Sequence, residues 1–296
     1  RDHQTALSAI LGFLRDRFPE IAIAAVGHRI VHGGTQFSRP VVLDGDTIGR
    51  LRELTPLAPL HQPNNLAGVE AAARAFPDAL QVGCFDTAFH RGQTWVNDTF
   101  GLPYRFYEEG IRRYGFHGLS YEYVSGRLKE ISPAHASGRV VACHLGNGAS
   151  MCAIDNGRSV GSTMGFTALD GLPMGTRCGQ LDPGVVLYLM TEKKMSADAI
   201  QDMLYHDSGL KGLSGLSNDL RTLEAAATPE ASRAIDYFVG RIRIELGGLA
   251  AMMSGLDAVV FCGGIGENAW RVRQAVCEGL DWLGISIDGQ RNRAGE

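Results

Sequence analysis

Excess positive charge is missing from this 296-residue chain: 28 Lys and Arg stand against 32 Asp and Glu, a formal net charge of −4. Without a basic stripe, nucleic acid and anionic membrane surfaces are excluded as partners, and small anions must be met by individually placed arginines. No apolar stretch approaches the length of a membrane span. The six cysteines (Cys84, Cys143, Cys152, Cys178, Cys262 and Cys277) contain no Cys-x-x-Cys pair and no zinc spacing. They lie mostly in apolar stretches and read as buried free thiols of a reducing cytoplasm. The chain also lacks Gly-x-x-x-x-Gly-Lys-Ser/Thr, and Gly263 to Asn268 stops short of the full dinucleotide pattern, which weakens both the P-loop and the Rossmann readings.

What the chain does have is length, a core and two glycine turns. At 296 residues, 45% of them hydrophobic, it exceeds the ordinary single-domain size, so two unequal domains are expected. The most informative segment runs from Val140 to Ile154: an apolar strand, the turn Gly146-Asn147-Gly148, and a second apolar strand. Glycine at both shoulders admits positive φ and lets the backbone approach a ligand, and the turn's N–H groups form a small anion cradle. Taken alone, such a turn is more often an ordinary tight hairpin. A second glycine-rich turn changes the balance. The strand Asp257 to Cys262 leads into Gly263-Gly264-Ile265-Gly266-Glu267-Asn268, and Ala269 to Val276 reads as the start of a helix. Strand, glycine turn and helix N-terminus together make a site for an anion or a nucleotide.

The chain opens with helical periodicity from Arg1 to Leu14, and a domain that begins on a helix is expected to lack its first strand. Ile21 to Val31 reads as a buried strand ending at His32-Gly33-Gly34, Leu57 to Pro63 as a stiff extended loop, and Asn64 to Phe76 as a helix capped by Asn64 or Asn65. Leu80 to Phe85 reads as a strand ending on Asp86, and Gly92 to Gly118 as irregular structure near a domain boundary. Ser120 opens a helix to about Ile131, and a turn at Asp155-Asn156-Gly157 returns the chain to a strand, Arg158 to Gly161. Asp182-Pro183 starts a helix to about Lys194, Ser196 caps another, and Pro229 opens a long one to about Ser254 that is core or interface. This order predicts a mixed α/β protein, a β-rich layer flanked by helices.

Polar residues gather at strand ends and in rigid loops, where active-site groups are commonly carried. Arg29 lies inside an otherwise apolar strand, where a guanidinium should face an anion or a carboxylate; a structural ion pair with Asp86 is the plainer reading. His28 and His32 are spaced four apart, but no carboxylate or cysteine completes a metal set. Asp86 directly follows an apolar strand, and His117 stands between glycines and aromatics. Arg177 sits in a loop too glycine-rich and apolar for ordinary solvated surface, a setting suited to a transferring phosphoryl group. Two arginines, a histidine, an aspartate and two glycine turns match phosphoryl transfer. They do not match acyl hydrolysis, which needs a serine on a nucleophile elbow.

The order of these motifs resembles the acetate kinase family, the acetate and propionate kinases of the actin, Hsp70 and sugar kinase superfold. The resemblance is carried over nearly the whole chain by Gly27 to Gly34 (GHRIVHGG), Ala58 to Asn65 (APLHQPNN), Phe85 to His90 (FDTAFH), Tyr114 to Gly118 (YGFHG), His144 to Gly148 (HLGNG), Met174 to Gly179 (MGTRCG), Leu216 to Arg221 with its Ser-Asn-Asp-Leu-Arg, and Gly263 to Asn268 (GGIGEN). It implies an α/β, two-domain actin-like ATPase (ribonuclease H-like) fold, with residues 1–88 as a partial N-terminal domain carrying substrate-site residues and 89–296 as the C-terminal nucleotide-binding domain. It implies reversible transfer of the ATP γ-phosphoryl group to acetate, giving acetyl phosphate and ADP with Mg²⁺, in a cytoplasmic homodimer. By matching positions, Asp86, His117 and Arg177 are catalytic, and Arg29 and His61 bind the acceptor, with Val31, Leu60 and Phe116 lining its methyl pocket. His144, Leu145, Gly146, Asn147 and Gly148 touch the nucleotide phosphates, while Asp219, Leu220, Arg221, Gly264, Ile265, Gly266, Glu267 and Asn268 surround the adenosine. Ala168 stands where the family often has proline, which fits propionate or another short-chain carboxylate as the alternative acceptor. The family's opening Asn-x-Gly-Ser-Ser-Ser phosphate loop and its C-terminal Asn-Glu-Glu segment have no match here. The N-terminal domain is therefore expected to be incomplete, the metal ligands are unassigned, and a catalytically impaired nucleotide-binding fragment is the competing expectation.

Overall fold

The computed structural model describes residues 3–59 and 61–295. The chain forms two compact units, residues 1–91 and 92–296.

The first unit holds helices α1 (His3–Arg17), α2 (Gly45–Glu53) and α3 (Gln62–Ala75) and strands β1 (Ala25–Ile30), β2 (Val41–Val42) and β3 (Leu80–Phe85). The strands form one sheet in the order β1-β3-β2, with β1 parallel to β3 from Ala25 opposite Leu80 to Ile30 opposite Phe85, and β2 antiparallel to β3. Its core is Ile30, Phe37, Leu43, Leu51, Leu66, Val69 and Phe85, with the Phe37 and Phe85 rings stacked at 5.1 Å. Two expectations are corrected here. The strand begins at Ala25 rather than Ile21, and only Ile30 in it is buried, because among the described residues β1 pairs on one side alone. Helix α3 starts at Gln62 behind His61, with Pro63 inside its first turn and no side-chain cap from either asparagine. Proline fits there because the first-turn N–H groups have no partner within the helix. Asn65 instead accepts the Val31 N–H at 3.0 Å, tying the helix to the end of β1.

The second unit opens with two short helices, α4 (Trp95–Asp98) and α5 (Tyr104–Glu108), in the region expected to be irregular, followed by α6 (Gly118–Ile131) and α7 (Pro133–Ala136). Strands β4 (Arg139–Leu145), β5 (Ala149–Asp155) and β6 (Arg158–Ser162) come next. Helices α8 (Pro183–Thr191), α9 (Ala197–His206), α10 (Gly209–Ser214), α11 (Leu220–Ala226) and α12 (Pro229–Met252) precede β7 (Ala258–Cys262), and α13 (Gly263–Asn268), α14 (Trp270–Cys277) and α15 (Gly289–Ala294) follow it. The sheet order is β6-β5-β4-β7: two antiparallel pairs, then β7 parallel to β4. Ala149 to Ile154 are all buried, so both faces of β5 are covered, and α12 packs on β4, β5 and β6 while α6 packs on β4. In α12 the buried residues Ala231, Ala234, Phe238, Ile242, Leu246 and Leu249 recur three and four apart, the period that keeps one stripe on the sheet. Tyr237 and Ile244 fall off that stripe and are exposed.

The β5–β6 turn has Asn156 at φ 48° and Gly157 at φ 75°, the left-handed pair of a type I′ hairpin. At the start of β4, Asp257 accepts the Arg139 backbone N–H at 2.7 Å and its side-chain Nε and Nη2 at 2.9 and 2.7 Å, pinning β4 to the entrance of β7. These bonds from Arg139 hold the Asp257 carboxyl well below the usual carboxylate range. No helix among the described residues is long and apolar enough to cross a membrane.

Candidate active site

The turn Gly146-Asn147-Gly148 closes the β4–β5 hairpin between Leu145 and Ala149, with the Gly146 N–H donating to the Gly148 carbonyl at 3.1 Å. None of its three residues takes positive φ, so the glycines are not there for a left-handed turn. Gly148 serves approach instead. The point a Cβ would occupy lies 3.4 Å from His117 Nε2 and 3.9 Å from Arg177 Nη1, so the missing side chain leaves a small space bounded by an imidazole and a guanidinium. The second motif is corrected more sharply: Gly263 to Asn268 is itself the short helix α13, followed at once by α14. Helix was not expected of a glycine run, because glycine is a poor helix former; here β7 fixes the entry. Gly263 has φ 76°, and a Cβ on it would meet the Leu145 carbonyl oxygen at 2.7 Å. Gly263→Ala is expected to lower stability by about 1–3 kcal/mol, from strain plus overlap, read as a lower urea midpoint; an unchanged midpoint would refute this reading.

One cavity of about 560 Å³ brings together Gly146, Asn147, Asp219, Leu220, Arg221, Gly264, Ile265 and Asn268. That is a volume suited to a small-molecule ligand. Asn218, Glu224 and Ala269 share the lining and were not named from the sequence; Asn218 stands inside the quoted Ser-Asn-Asp-Leu-Arg motif, where its adjacency was the available signal. Asp219 caps α11 by accepting the Arg221 N–H at 2.9 Å and pairs with Arg221 Nη2 at 2.6 Å. That pairing lowers the Asp219 pKa and raises that of Arg221. Other expected residues lie outside the cavity lining. Leu145 is fully buried at the end of β4, Gly266 is buried over Phe261 and Cys143, and the Glu267 carbonyl accepts Arg273 Nη1 at 2.7 Å.

His144 stacks on His117, ring centroids 4.3 Å apart. Ser120 Oγ holds His144 Nδ1 at 2.9 Å, and Ser150 Oγ holds His117 Nδ1 at 2.8 Å. The loop that carries Arg177 is fastened to both neighbours. Gly175 N–H donates to the Asn147 carbonyl at 3.0 Å, Asp170 pairs with Arg113 at 3.1 Å, and the Gly165 carbonyl takes the N–H groups of Tyr114 and Gly115 at 3.0 and 3.3 Å. Arg177 is half-buried, its Nη1 bonded to the Ala168 carbonyl at 3.3 Å and to Met174 Sδ at 3.6 Å. Burial pushes its pKa down. The hydrolase spelling Gly-x-Ser-x-Gly does occur, at Gly157 to Gly161, but Ser159 is buried within antiparallel β6, hydrogen-bonded to Gln93 and Cys152, with no strand-to-helix elbow.

In the first unit, Asp86 is 2% exposed and receives Arg29 Nε at 3.0 and 3.1 Å and Arg29 Nη2 at 2.6 Å. The expected buried arginine is corrected: its side chain is 61% exposed, and the Asp86 hydrogen bonds raise its pKa. Val31 and His61 are half-buried, Phe116 is buried in the second unit, and Leu60 lies outside the described residues. His28 Nε2 bonds Gln81 Oε1 at 2.7 Å, and His32 Nδ1 accepts the Gly34 N–H at 2.9 Å. Among the described residues no group of three or more His, Cys, Asp or Glu could hold a metal ion.

The fold is that of the actin-like ATPases, in the form shared by acetate and propionate kinases of known structure. The acetate kinase of Porphyromonas gingivalis aligns at a TM-score of 0.91 and 41% identity, over 98% of this chain and 75% of that one. A propionate kinase from Francisella tularensis aligns at 0.94 and 36% identity, over 99% and 77%. In sequence the chain is 63% identical over 292 residues to the acetate kinase of Methylocella silvestris (99% of this chain, 72% of that protein), and 56% identical over 291 residues to that of Nitrobacter hamburgensis (98% and 72%). It matches the Acetokinase family across residues 1–296 and belongs to that family. Membership makes it a phosphotransferase with a carboxyl group as acceptor and ATP or ADP as its nucleotide.

Proposed function

We propose that the protein transfers the ATP γ-phosphoryl group reversibly to acetate, with Arg177 as the group that meets the transferring phosphoryl. The observation that carries this is Arg177 itself, a half-buried cation whose Nη1 has only a carbonyl and a thioether as bonded neighbours, beside the open face of Gly148. A guanidinium kept from carboxylates in that way has its charge available for an anion. An acetate oxygen attacks the γ-phosphorus, a new P–O bond forms, and the bond to the β,γ-bridging oxygen breaks, leaving ADP. Acetate has a pKa of about 4 and arrives ionised, so no base need remove a proton. His117 faces the same space as Arg177, and the Gly146 to Gly148 turn and the 560 Å³ cavity hold the phosphates and the adenosine.

Arg29 binds the acceptor carboxylate. Asp86 occupies its Nε and Nη2, which fixes the guanidinium plane and leaves Nη1 to the ligand. His61 and Val31, both half-buried in the same unit, stand with Arg29 on the acceptor side. Mg²⁺ takes most of its ligands from phosphate and water. The described residues offer no preformed metal set, so no step is assigned to the ion.

Acyl phosphate formation from ATP with acetate, propionate and butyrate in parallel tests this reading. Acetate is expected to lead, and since a methylene is worth about 1–3 kcal/mol, propionate should follow within 10–200-fold. Product from none of the three, with ATP still bound, would leave only nucleotide binding. The enzyme acts as a cytoplasmic homodimer, a reading supported by its six free thiols and by α8, in which none of nine residues is buried and Val185, Leu187, Tyr188 and Met190 are exposed. Leu187→Glu is expected to halve the mass seen by light scattering; an unchanged mass would remove α8 from the interface.

A further inference from the structure

His117 is the N-cap of α6 and has φ 58°, a left-handed backbone that costs a residue with a side chain about 1–2 kcal/mol. Its ring reaches β5, where Ser150 Oγ meets Nδ1 at 2.8 Å. Ser150 is fully buried, and its Oγ also hydrogen-bonds the hydroxyl of Tyr121, fully buried in the first turn of the same helix. Burial raises the Tyr121 pKa well above the ordinary phenol value, so this hydroxyl keeps its proton. On the ring's face lies His144, with its own Nδ1 held by Ser120, the residue before Tyr121. Two consecutive hydroxyl residues of α6 thus brace the two stacked imidazoles, one directly and one through a serine of the sheet.

We propose that Tyr121 and Ser150 are positioning residues: Tyr121 O–H donates to Ser150 Oγ, Ser150 O–H donates to His117 Nδ1, and His117 is thereby fixed in the tautomer with its proton on Nε2. Nε2 is the nitrogen that faces the open side of Gly148. A proton there lets a neutral imidazole donate to a phosphoryl oxygen; the other tautomer would set a lone pair against that oxygen's negative charge. The inference rests on the reading of His117 as a phosphoryl-contacting group, but the tautomer exists without it. It also accounts for a tyrosine hydroxyl buried in a sheet-facing helix turn, where phenylalanine would fill the same volume.

The test uses the whole protein. Nitrogen-15 NMR of the histidine rings at pH 8 should show His117 with a protonated Nε2 and an unprotonated, hydrogen-bonded Nδ1. Tyr121→Phe keeps the ring and removes the donor, so Ser150 can turn and accept. The His117 signals should then move toward a mixture of tautomers. An even mixture leaves half of the rings competent, so kcat should fall about twofold. KM for ATP and acetate should stay within twofold, and the melting temperature should change little. Against the residual activity of His117→Ala, adding Tyr121→Phe should change nothing, because its effect passes through the ring. Ser150→Ala should reproduce the shift and serves if Tyr121→Phe does not fold. An unaltered tautomer and kcat in both variants overturns the proposal. Full activity in His117→Ala would instead overturn the catalytic reading, while the NMR result still decides the hydrogen-bond chain.

Discussion

Replacing Arg177 by methionine is expected to remove about three orders of magnitude of kcat, the usual worth of an arginine on a transferring phosphoryl group, while leaving the fold no less stable. The two effects have one cause. The folded state lowers the Arg177 pKa by burying it, so the charged form is less at home in the fold than in water. An arginine side chain stays protonated in proteins, so this penalty is present throughout the working pH range. Removing the charge relieves the penalty and loses the bond to the Ala168 carbonyl, two effects of opposite sign. The rate loses an interaction made chiefly when charge spreads over the equatorial oxygens, so kcat should fall more than KM rises. Steady-state kinetics and a thermal melt on one sample decide it. A melting temperature several degrees lower would show Arg177 to be structural.

The second large effect is a loss of stability in mild acid, traced to His32. This histidine is fully buried behind β1, and its pKa is pushed down to about 3, first by burial and then by the charge of Arg91. Its Nδ1 accepts the Gly34 N–H, a bond that a proton on that nitrogen would break. The unfolded chain takes a proton below about pH 6.5, and the folded one refuses it until about pH 3. The contribution is therefore whole above pH 6.5 and declines by about 1.4 kcal/mol per pH unit as the pH falls toward 3. At pH 5 the first unit should be about 2 kcal/mol less stable on this account than at pH 7. Asparagine can accept from Gly34 without titrating, so His32→Asn should flatten that difference. The comparison is read from urea midpoints at pH 7 and 5 together with exchange of the Gly34 amide. Equal losses in both proteins would exonerate His32.

Local signals in the sequence were reliable where short-range chemistry decides the outcome. Asp182 before Pro183, Ser196 and Asn156-Gly157 name a cap, a cap and a turn, and the structure has each of them. The strand Leu80 to Phe85 was legible as a short stretch that ends on Asp86. Ile21 to Val31 was misjudged because an apolar run does not say how many neighbours its strand will have. Gly263 to Asn268 looked like a turn because glycine lowers helix propensity, and only the approach of β7 to Leu145 makes it a helix start. The cavity draws its lining from stretches near residues 146, 219 and 264, and Arg29 meets Asp86 across 57 positions. No local pattern carries distances of that kind. The motifs identified these residues only through resemblance to a family, which supplies the long-range information that periodicity lacks.

The clamp between Arg139 and Asp257 joins positions 118 residues apart. During synthesis the β4–β5 hairpin can form early, since its partners are neighbours in sequence, but its parallel mate arrives only after five helices have been made. Closing such a long loop is slow and must precede the reward of the contacts it brings. Until then the Gly146 side of the cavity exists and the Gly264 side does not. A chain at that stage offers a nucleotide only the part of the lining that runs from Gly146 to Glu224. If the cavity holds the nucleotide as proposed, the nucleotide bridges the β4 and β7 sides of that seam and should retard its reopening.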